Sequence, residues 1–217
     1  MRILGLTGGI AMGKSTAAKA FRRLGIPVHD ADATVHRLYR SGGAAVAPIA
    51  EAFPEAVVEG AVDRGRLGAL VLGKPEALRR LEGIMHPLVR QATRRWLAVM
   101  ARRRCGLVVL DIPLLYETGG ERLCDAVLVV SAPGFLQRQR ALSRSGMSEE
   151  KLAAILARQV KDHDRRRRAD YLVWTGLGKG QARRSLGRIV ARERSSQGRV
   201  WAPGFGRTAK SKRRAKR

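Results

Sequence analysis

Apolar runs alternate with amphipathic stretches along most of the chain. Four of the runs are largely apolar, and an unbroken stretch such as 107–110 is typical of a strand that is covered on both faces of a sheet. The four runs lie at residues 2–7, 107–112, 126–130 and 171–174, and a shorter strand is predicted at 28–30. Because helical patterns separate them, the sequence predicts an α/β fold in which five parallel strands are flanked by helices.

Helical patterns fill the intervals between these strands. The first predicted helix runs from Lys14 to Leu24, where a Gly-Ile-Pro sequence stops it. Between residues 45 and 104 the pattern is helical almost throughout, and one helix is predicted from Pro87 to Arg103. This block is too long for a simple connection between neighbouring strands. We therefore expect residues 33–106 to form a helical lobe at the C-terminal edge of the sheet, where ligands bind in open α/β folds.

The segment between the first strand and the first helix carries the clearest motif. Residues 8–15 read Gly-Gly-Ile-Ala-Met-Gly-Lys-Ser and fit the phosphate-binding pattern G-x-x-x-x-G-K-[ST] without a mismatch. In such a loop, successive backbone N–H groups point at an anion, and the following helix N-terminus favours negative charge. The sequence therefore predicts that Lys14 reaches the β- and γ-phosphates of ATP and that Ser15 is a ligand of Mg²⁺. The predicted nucleotide-binding residues are Gly9, Ile10, Ala11, Met12, Gly13, Lys14, Ser15 and Thr16.

Composition restricts the possible partners and the cellular compartment of the protein, but it does not identify a reaction. The 217 residues carry a formal net charge of +25, and the segment 199–217 holds basic residues and no acidic ones. Because residues 196–217 have a low apolar content, we expect them to form a basic, disordered tail. If the protein binds nucleic acid, we expect it to do so only through this tail. No apolar run approaches the roughly 20 residues of a membrane span. The chain has only two cysteines, which favours a reducing, cytoplasmic setting. The first predicted strand begins at residue 2, so the sequence predicts that there is no signal peptide.

Two aspartates follow predicted strands and are candidates for chemistry. Asp32 comes after the second strand, where a carboxylate can accept a proton from an acceptor hydroxyl or hold Mg²⁺; a helix cap is the alternative, and Asp30 is less well placed for chemistry. Asp111 ends the third strand and is expected to support Mg²⁺ together with Ser15. His86 precedes Pro87 between two predicted helices, and its spacing alone favours a core or capping role.

Arginines cluster after the fourth strand, in a helix predicted from Pro133 to Gly146. Arg140 and Arg144 are four positions apart, so both can face one ligand on a helix. A helical lid that carries such arginines would stabilise charge on a transferring phosphoryl group. The alternative is a solvated arginine face, and the sequence alone does not separate the two.

Two further absences restrict the class of nucleotide-binding protein. No [NT]-K-x-D motif for guanine follows the phosphate loop, which weighs against a GTPase. The third strand ends in Asp-Ile and therefore lacks the water-activating glutamate that motor ATPases carry after this aspartate. These observations leave phosphoryl transfer to a small molecule as the favoured chemistry.

Several short segments together resemble the dephospho-coenzyme A kinase family, and the resemblance extends to about Gly178. The most specific segment is Pro-Leu-Leu-Tyr-Glu at 113–117, and His86-Pro87 is a second. Other matching segments are Leu6-Thr7-Gly8-Gly9-Ile10, Asp30-Ala31-Asp32, Leu81-Glu82, Asp111-Ile112, Arg140, Arg144, Gln159 and Ala169-Asp170-Tyr171.

This resemblance implies a P-loop kinase fold of the nucleoside-monophosphate-kinase type. It implies transfer of the ATP γ-phosphate to the 3′-hydroxyl of dephospho-coenzyme A, with Mg²⁺, by a protein that we expect to be a monomer. Asp32 matches the catalytic aspartate, and His86 and Leu115 fall in the acceptor-binding region. Lys14 and Arg140 complete the expected catalytic set, and Arg144 is expected to bind ATP. The expected core comprises 1–32, 107–135 and 169–195, with a lid at 136–168.

The chain departs from the family pattern at two places. The phosphate loop has Ala11-Met12 where Gly-Ser is common, and Trp174-Thr175-Gly176 stands where an asparagine often lies near adenine. Two alternatives stay open at this point. One is another small-molecule kinase, such as a nucleoside monophosphate kinase, and the other is a nucleic-acid-binding ATPase.

Overall fold

The computed structural model describes residues 1–201 of the chain. Contacts between residues divide the chain into two compact units. One comprises residues 1–29 and the chain from Met100 onward, and the other comprises residues 30–99. The helices and strands follow in the order β1 (Arg2–Thr7), α1 (Lys14–Arg23), β2 (Val28–Asp30), α2 (Ala31–Tyr39), α3 (Val46–Ala52), β3 (Val57–Val58), β4 (Ala61–Val62), α4 (Arg64–Val71), α5 (Pro75–Arg102), β5 (Leu107–Asp111), β6 (Ala126–Ser131), α6 (Gly134–Leu142), α7 (Glu149–Ala157), α8 (Asp162–Arg167), β7 (Tyr171–Trp174) and α9 (Lys179–Arg194).

Within the described residues, five strands form one parallel sheet, as predicted, and their order is β2-β5-β1-β6-β7. The central strand β1 pairs with β5 and β6 on its two sides, so that Gly5 lies opposite both Leu110 and Val127. Strands β5 and β6 are buried along their whole length, which explains their unbroken apolar sequence. This order brings the C-terminal ends of β1 and β5 side by side.

Two helices cover one face of this sheet. Phe21 of α1 and Leu186 of α9 are fully or almost fully buried in the same core cluster, which also contains Leu4 and Val109 of the sheet. Burial of a large apolar side chain contributes about 1.5–3 kcal/mol, so these contacts fix the start of α1 relative to β1. The loop between β1 and α1 is therefore held between two well-packed elements.

The unit of residues 30–99 has its own apolar core, formed around Ile49, Phe53, Leu67 and Met85. The prediction that this region is helical almost throughout missed a short hairpin of β3 and β4. Its turn places Glu59 and Gly60 at φ of 50° and 74°. A turn with two positive φ values joins antiparallel strands tightly, and two-residue strands leave almost no sequence pattern.

Helix α5 differs from the prediction because it continues through Pro87 instead of beginning there. Proline lacks the N–H that would bond to the carbonyl of Gly83, which normally weakens a helix interior. Met85 and Leu88, on either side of the proline, pack into the core of this unit. Their burial holds the helix together across the missing hydrogen bond.

The chain after α9 is packed at its start, in contrast to the expectation of a disordered tail from residue 196. Backbone N–H groups of Arg199 and Val200 donate to Oδ1 of Asp125, the second at 2.8 Å. Arg2 Nη1 donates to the carbonyl of Gln197 at 3.0 Å. The remainder of the predicted tail lies outside the described residues.

None of the helices in residues 1–201 combines the length and the apolar character needed to cross a membrane.

Candidate phosphate-binding site

The loop from Gly8 to Gly13 joins β1 to α1 and has the backbone of an anion-binding turn. Met12 N–H donates to the carbonyl of Gly9 at 3.1 Å, and Gly13 has a φ of 92° immediately before the helix. A Cβ on Gly8 would lie 2.4 Å from the side chain of Val130, so only glycine fits this position. The loop ends at the N-terminus of α1, whose free N–H groups and dipole favour an anion.

Lys14 is the loop side chain with the best-defined partner. Its Nζ lies 2.8 Å from Oδ1 of Asp111, whose side chain is only 4% exposed at the end of β5. The pair holds a cation beside the phosphate loop. Ser15 and Thr16 are exposed in the first turn of α1.

The structure accounts for the unusual Ala11-Met12 pair in the loop. Ala11 has a φ of 60° and is buried beside Ala141 and Leu152 of α6 and α7. The left-handed conformation costs a non-glycine residue about 1–2 kcal/mol, which this burial offsets in part. Met12 is also buried; its Sδ accepts from the N–H of Ala132 at 3.0 Å. Both side chains pack against protein, so neither one occupies the space inside the loop.

The arginines of the predicted lid have separate surroundings. Arg140 donates through Nη1 to Thr175 Oγ1 at 3.2 Å and through Nη2 to the Thr175 carbonyl at 3.1 Å. Thr175 Oγ1 in turn donates to the carbonyl of Met12 at 2.8 Å, which connects Arg140 to the phosphate loop. Arg138 is exposed and paired with Glu149.

Arg144 lies just beyond the helix that carries Arg140. Helix α6 ends at Leu142, earlier than the predicted end at Gly146, and Arg144 is exposed in the turn that follows. The predicted end of this helix is therefore wrong, and the hypothesis that both arginines face one ligand stays a prediction. Ser143 N–H still bonds four residues back to Gln139, whereas Arg144 N–H bonds three residues back to Ala141, so the last turn tightens and the helix ends.

The sequence did not predict that four polar residues contact or support the phosphate loop. Gln137 and Gln159 bind the backbone of Ile10, and Arg165 lies against Gly9 and pairs with Glu117. Arg165 is 1% exposed, although it begins a run of four arginines that looks like a solvated surface. Nothing in the run distinguishes the buried arginine, because its burial depends on where α8 packs.

Asp30 and Asp32, at the end of β2 and the start of α2, have different surroundings. Asp30 is the N-cap of α2, since its Oδ1 accepts from the N–H of Ala33 at 2.9 Å. Asp32 is exposed in the first turn of this helix. The capping alternative considered for Asp32 is therefore wrong, and the cap lies two residues earlier.

His86 and Leu115, the other expected acceptor-binding residues, differ in exposure. His86 is exposed within α5, which overturns the expectation of a core or capping histidine. Leu115 is fully buried and packs in a cluster with Tyr116 and Val129. Its side chain fills the space beside β1, so any contact of Leu115 with a ligand would have to come from its backbone.

The oxygen groups of Ser15 and Asp111 fit the requirements of Mg²⁺, which takes one or two protein oxygens and completes its shell with phosphates and water. Within residues 1–201, no group of three or more His, Cys, Asp or Glu side chains could hold a metal on its own. A site of this kind depends on the nucleotide for most of its ligands.

The chain is similar to known proteins in sequence and in structure. The sequence model described as dephospho-CoA kinase (CoaE) matches residues 2–176. A dephospho-CoA kinase of Paramagnetospirillum magneticum is 61% identical over 166 residues, which are 76% of this chain and 78% of the relative. A dephospho-CoA kinase of Mesorhizobium japonicum is 52% identical over 198 residues, which are 91% of this chain and 100% of the relative.

Solved structures resemble the chain over most of its length. A crystal structure of a Thermus thermophilus protein has a TM-score of 0.78 at 35% identity and covers 90% of this chain and 98% of that one. A dephospho-CoA kinase from Campylobacter jejuni has a TM-score of 0.62 at 23% identity and covers 88% and 97%. The second comparison is evidence for the shared fold alone.

Proposed function

The chain belongs to the dephospho-CoA kinase family, and from this premise we propose that it transfers the γ-phosphate of ATP to the 3′-hydroxyl of dephospho-CoA. The products are coenzyme A and ADP. The observation that carries the proposal is that the family match includes the complete phosphate loop, in which Lys14 Nζ lies 2.8 Å from Asp111 Oδ1.

In this reaction the ribose oxygen forms a bond to the γ-phosphorus while the bond to the β–γ bridging oxygen breaks. Negative charge develops on the phosphoryl and bridging oxygens, and fixed cations stabilise it. Lys14 is suited to this task because it is tethered beside the loop and is only 18% exposed. The N–H groups of the loop and of α1 would bind the β-phosphate.

We propose that Asp32 accepts the proton of the acceptor hydroxyl. Its carboxylate is exposed and is not the cap of α2, so it is available to an acceptor. When the ribose oxygen attacks, the proton passes to a carboxylate oxygen of Asp32. We place His86 and the backbone of Leu115 in acceptor binding, on the strength of the family resemblance.

Mg²⁺ would be held by Ser15, with Asp111 supporting it through water, and it would neutralise charge shared by the β- and γ-phosphates. Arg140 would bind the γ-phosphate and Arg144 would bind ATP as residues 136–168 close over it. We further propose that the protein works as a monomer in the cytoplasm, a reducing setting that suits the free thiols of Cys105 and Cys124.

The test is incubation of the purified protein with ATP, Mg²⁺ and dephospho-CoA, followed by mass spectrometry of the product. We expect the acceptor to gain one phosphate, and no gain when Mg²⁺ is chelated. Nucleoside monophosphates in place of dephospho-CoA are the control for a different kinase. Phosphorylation of a nucleoside monophosphate with dephospho-CoA unchanged would contradict the proposal. Light scattering of the same sample tests the monomer.

A further inference from the structure

Both polar groups of Ile10, in the phosphate loop, are bound by glutamine side chains. The N–H of Ile10 donates to Oε1 of Gln159 at 3.2 Å. The carbonyl of Ile10 accepts from Nε2 of Gln137 at 3.0 Å. Gln137 lies in α6 and Gln159 follows α7, so two separate elements hold one residue of the loop. The backbone of Ile10 also fixes which end of each amide faces it, since an N–H needs an oxygen and a carbonyl needs an N–H.

A buried ion pair lies next to these glutamines and supports their arrangement. Arg165 is 1% exposed, and its Nη2 lies 3.4 Å from Oε1 of Glu117. The same carboxylate oxygen accepts from the N–H of Val160 at 2.8 Å, directly beside Gln159. A Cβ on Gly9 would lie 3.1 Å from Arg165 Nη1 and 3.1 Å from Gln137 Nε2, so the loop rests closely on these groups.

The carbonyl of Ile10 and the N–H of Ala11 belong to one planar trans peptide, in which the two groups point in opposite directions. A hydrogen bond that turns the carbonyl of Ile10 toward Gln137 therefore turns the N–H of Ala11 away from Gln137. Ala11 holds a φ of 60°, which an alanine rarely adopts, so the peptide needs an external restraint to keep this orientation. If the peptide rotated, a carbonyl would replace an N–H on the side that binds phosphate.

We propose that Gln137 and Gln159 are positioning residues that set the orientation of the Ile10–Ala11 peptide for binding the phosphates of ATP. Gln137 fixes the peptide by donating to its carbonyl, and Gln159 fixes the residue by accepting from its N–H. Glu117 and Arg165 hold the segment that carries Gln159. This role rests on the proposed function only for the identity of the acceptor, because nucleotide binding can be measured without one.

The two glutamines should differ in their response to the same substitution. Gln159→Glu keeps an oxygen acceptor for the N–H of Ile10, whereas Gln137→Glu removes the donor and faces the carbonyl of Ile10 with a carboxylate. We expect Gln137→Glu to raise the Kd for Mg²⁺-ATP about tenfold or more, and Gln159→Glu to change it less than about threefold. The uncharged variants Gln137→Met and Gln159→Leu should each raise it about fivefold.

Calorimetric titration of Mg²⁺-ATP without dephospho-CoA measures these effects directly, so a failure of the proposed reaction would not be mistaken for a failure of this role. Gln139→Glu is the matched control, since it adds the same charge to an exposed position of α6. In the full assay, KM for ATP should rise and KM for dephospho-CoA should not change. Equal losses in Gln137→Glu and Gln159→Glu, or lower melting temperatures with unchanged Kd in all four variants, would overturn the role.

Discussion

Lys14 in the phosphate loop and Asp111 at the end of β5 form an ion pair of 2.8 Å across the neighbouring strands β1 and β5. The parallel register of these strands brings the two residues together, because the loop leaves β1 at the same edge where β5 ends. The pair holds a flexible lysine in one place beside the loop. It thereby reduces the conformational entropy that Lys14 would lose when a phosphate binds.

Lys14→Ala should lower turnover about 10²–10³-fold, because it removes one fixed electrostatic contact that grows stronger as charge develops in transfer. The measurement is kcat with ATP and dephospho-CoA both saturating. Lys19→Ala is the matched control, as Lys19 is an exposed lysine of the same helix and should leave turnover near that of the wild type. A Lys14→Ala enzyme within a few-fold of the control would remove this lysine from the mechanism.

Local sequence signals predicted the centre of the fold well. The strand, loop and helix from Arg2 to Arg23 were predicted to within a residue, since a buried parallel strand, a glycine-rich loop and an amphipathic helix each leave a pattern. Helix caps leave a local signal as well, since the side chains of Asp63 and Ser148 accept from N–H groups three positions later, at the starts of α4 and α7.

Features that depend on tertiary packing were not predictable in this way. Pro87 looked like the start of a helix, and only the burial of its neighbours shows why α5 continues. The contacts of Gln137 and Gln159 with Ile10 join residues that are 127 and 149 positions apart. An isolated glutamine has no periodic pattern, so only the folded chain reveals which of them bind the phosphate loop.

Arg140→Ala should lower turnover about 10²-fold if Arg140 stabilises the transferring phosphate. Arg140 now donates to Thr175, so ATP would have to draw it into a new contact. Arg138→Ala is the control, because that side chain is 64% exposed and such surface pairs contribute little. Equal activity of the two variants would indicate that Arg140 only braces Thr175.

Closure of the predicted lid has a separate test in amide hydrogen exchange. Exchange across residues 138–168 should slow when ATP and dephospho-CoA are added together, since a closing lid loses contact with water. ATP alone gives the reference for nucleotide contacts. Protection that appears elsewhere in the protein, with unchanged exchange across 138–168, would count against a lid.

Truncation after the last helix should separate two parts of the C-terminal segment. Removal of residues 202–217 should leave activity unchanged, whereas removal from residue 197 onward should lower stability by about 1–3 kcal/mol, because Asp125 loses two backbone donors. Urea denaturation of both truncated proteins measures the difference. Equal stability of the two would show that the contacts of Arg199 and Val200 contribute nothing.

Stability should fall in alkaline solution because two weak acids, the buried Tyr116 hydroxyl and the partly buried Cys124 thiol, are held protonated. Burial raises the pKa of the Tyr116 hydroxyl from 10.0, and of the Cys124 thiol from 9.0, to about 12. Their contribution is complete below the ordinary values and is lost as pH rises toward 12, when the unfolded chain releases protons that the folded chain retains. Each group should add a slope of about 1.4 kcal/mol per pH unit in this window.

Urea denaturation between pH 8 and 11 checks this expectation, with Tyr116→Phe and Cys124→Ala as the comparison, since each variant removes one titrating group. The slope of unfolding free energy against pH should be shallower in each variant, whatever its absolute stability. An unchanged slope in both would show that other groups control the alkaline loss.

Substitutions at Asp30 and at Asp32 should have different effects, the first on stability and the second on turnover, because Asp30 makes the capping contact of α2. Asp30→Ala should lower stability by about 1 kcal/mol, the usual effect of losing a helix N-cap. Asp32→Asn should keep the melting temperature and the affinity for ATP, because it removes no cap and preserves the shape of the side chain. It should lose most of its turnover, because an amide cannot accept the proton of the ribose hydroxyl.

Phosphoryl transfer through a loose transition state demands little of a base, so the loss of turnover in Asp32→Asn can also reflect a misplaced hydroxyl. A pH profile distinguishes the two: a base gives the wild type an acidic limb that Asp32→Asn lacks, whereas misplacement lowers the rate equally at every pH. Wild-type turnover in Asp32→Asn would pass the catalytic role to another carboxylate, and Asp111→Asn would then be the variant to measure.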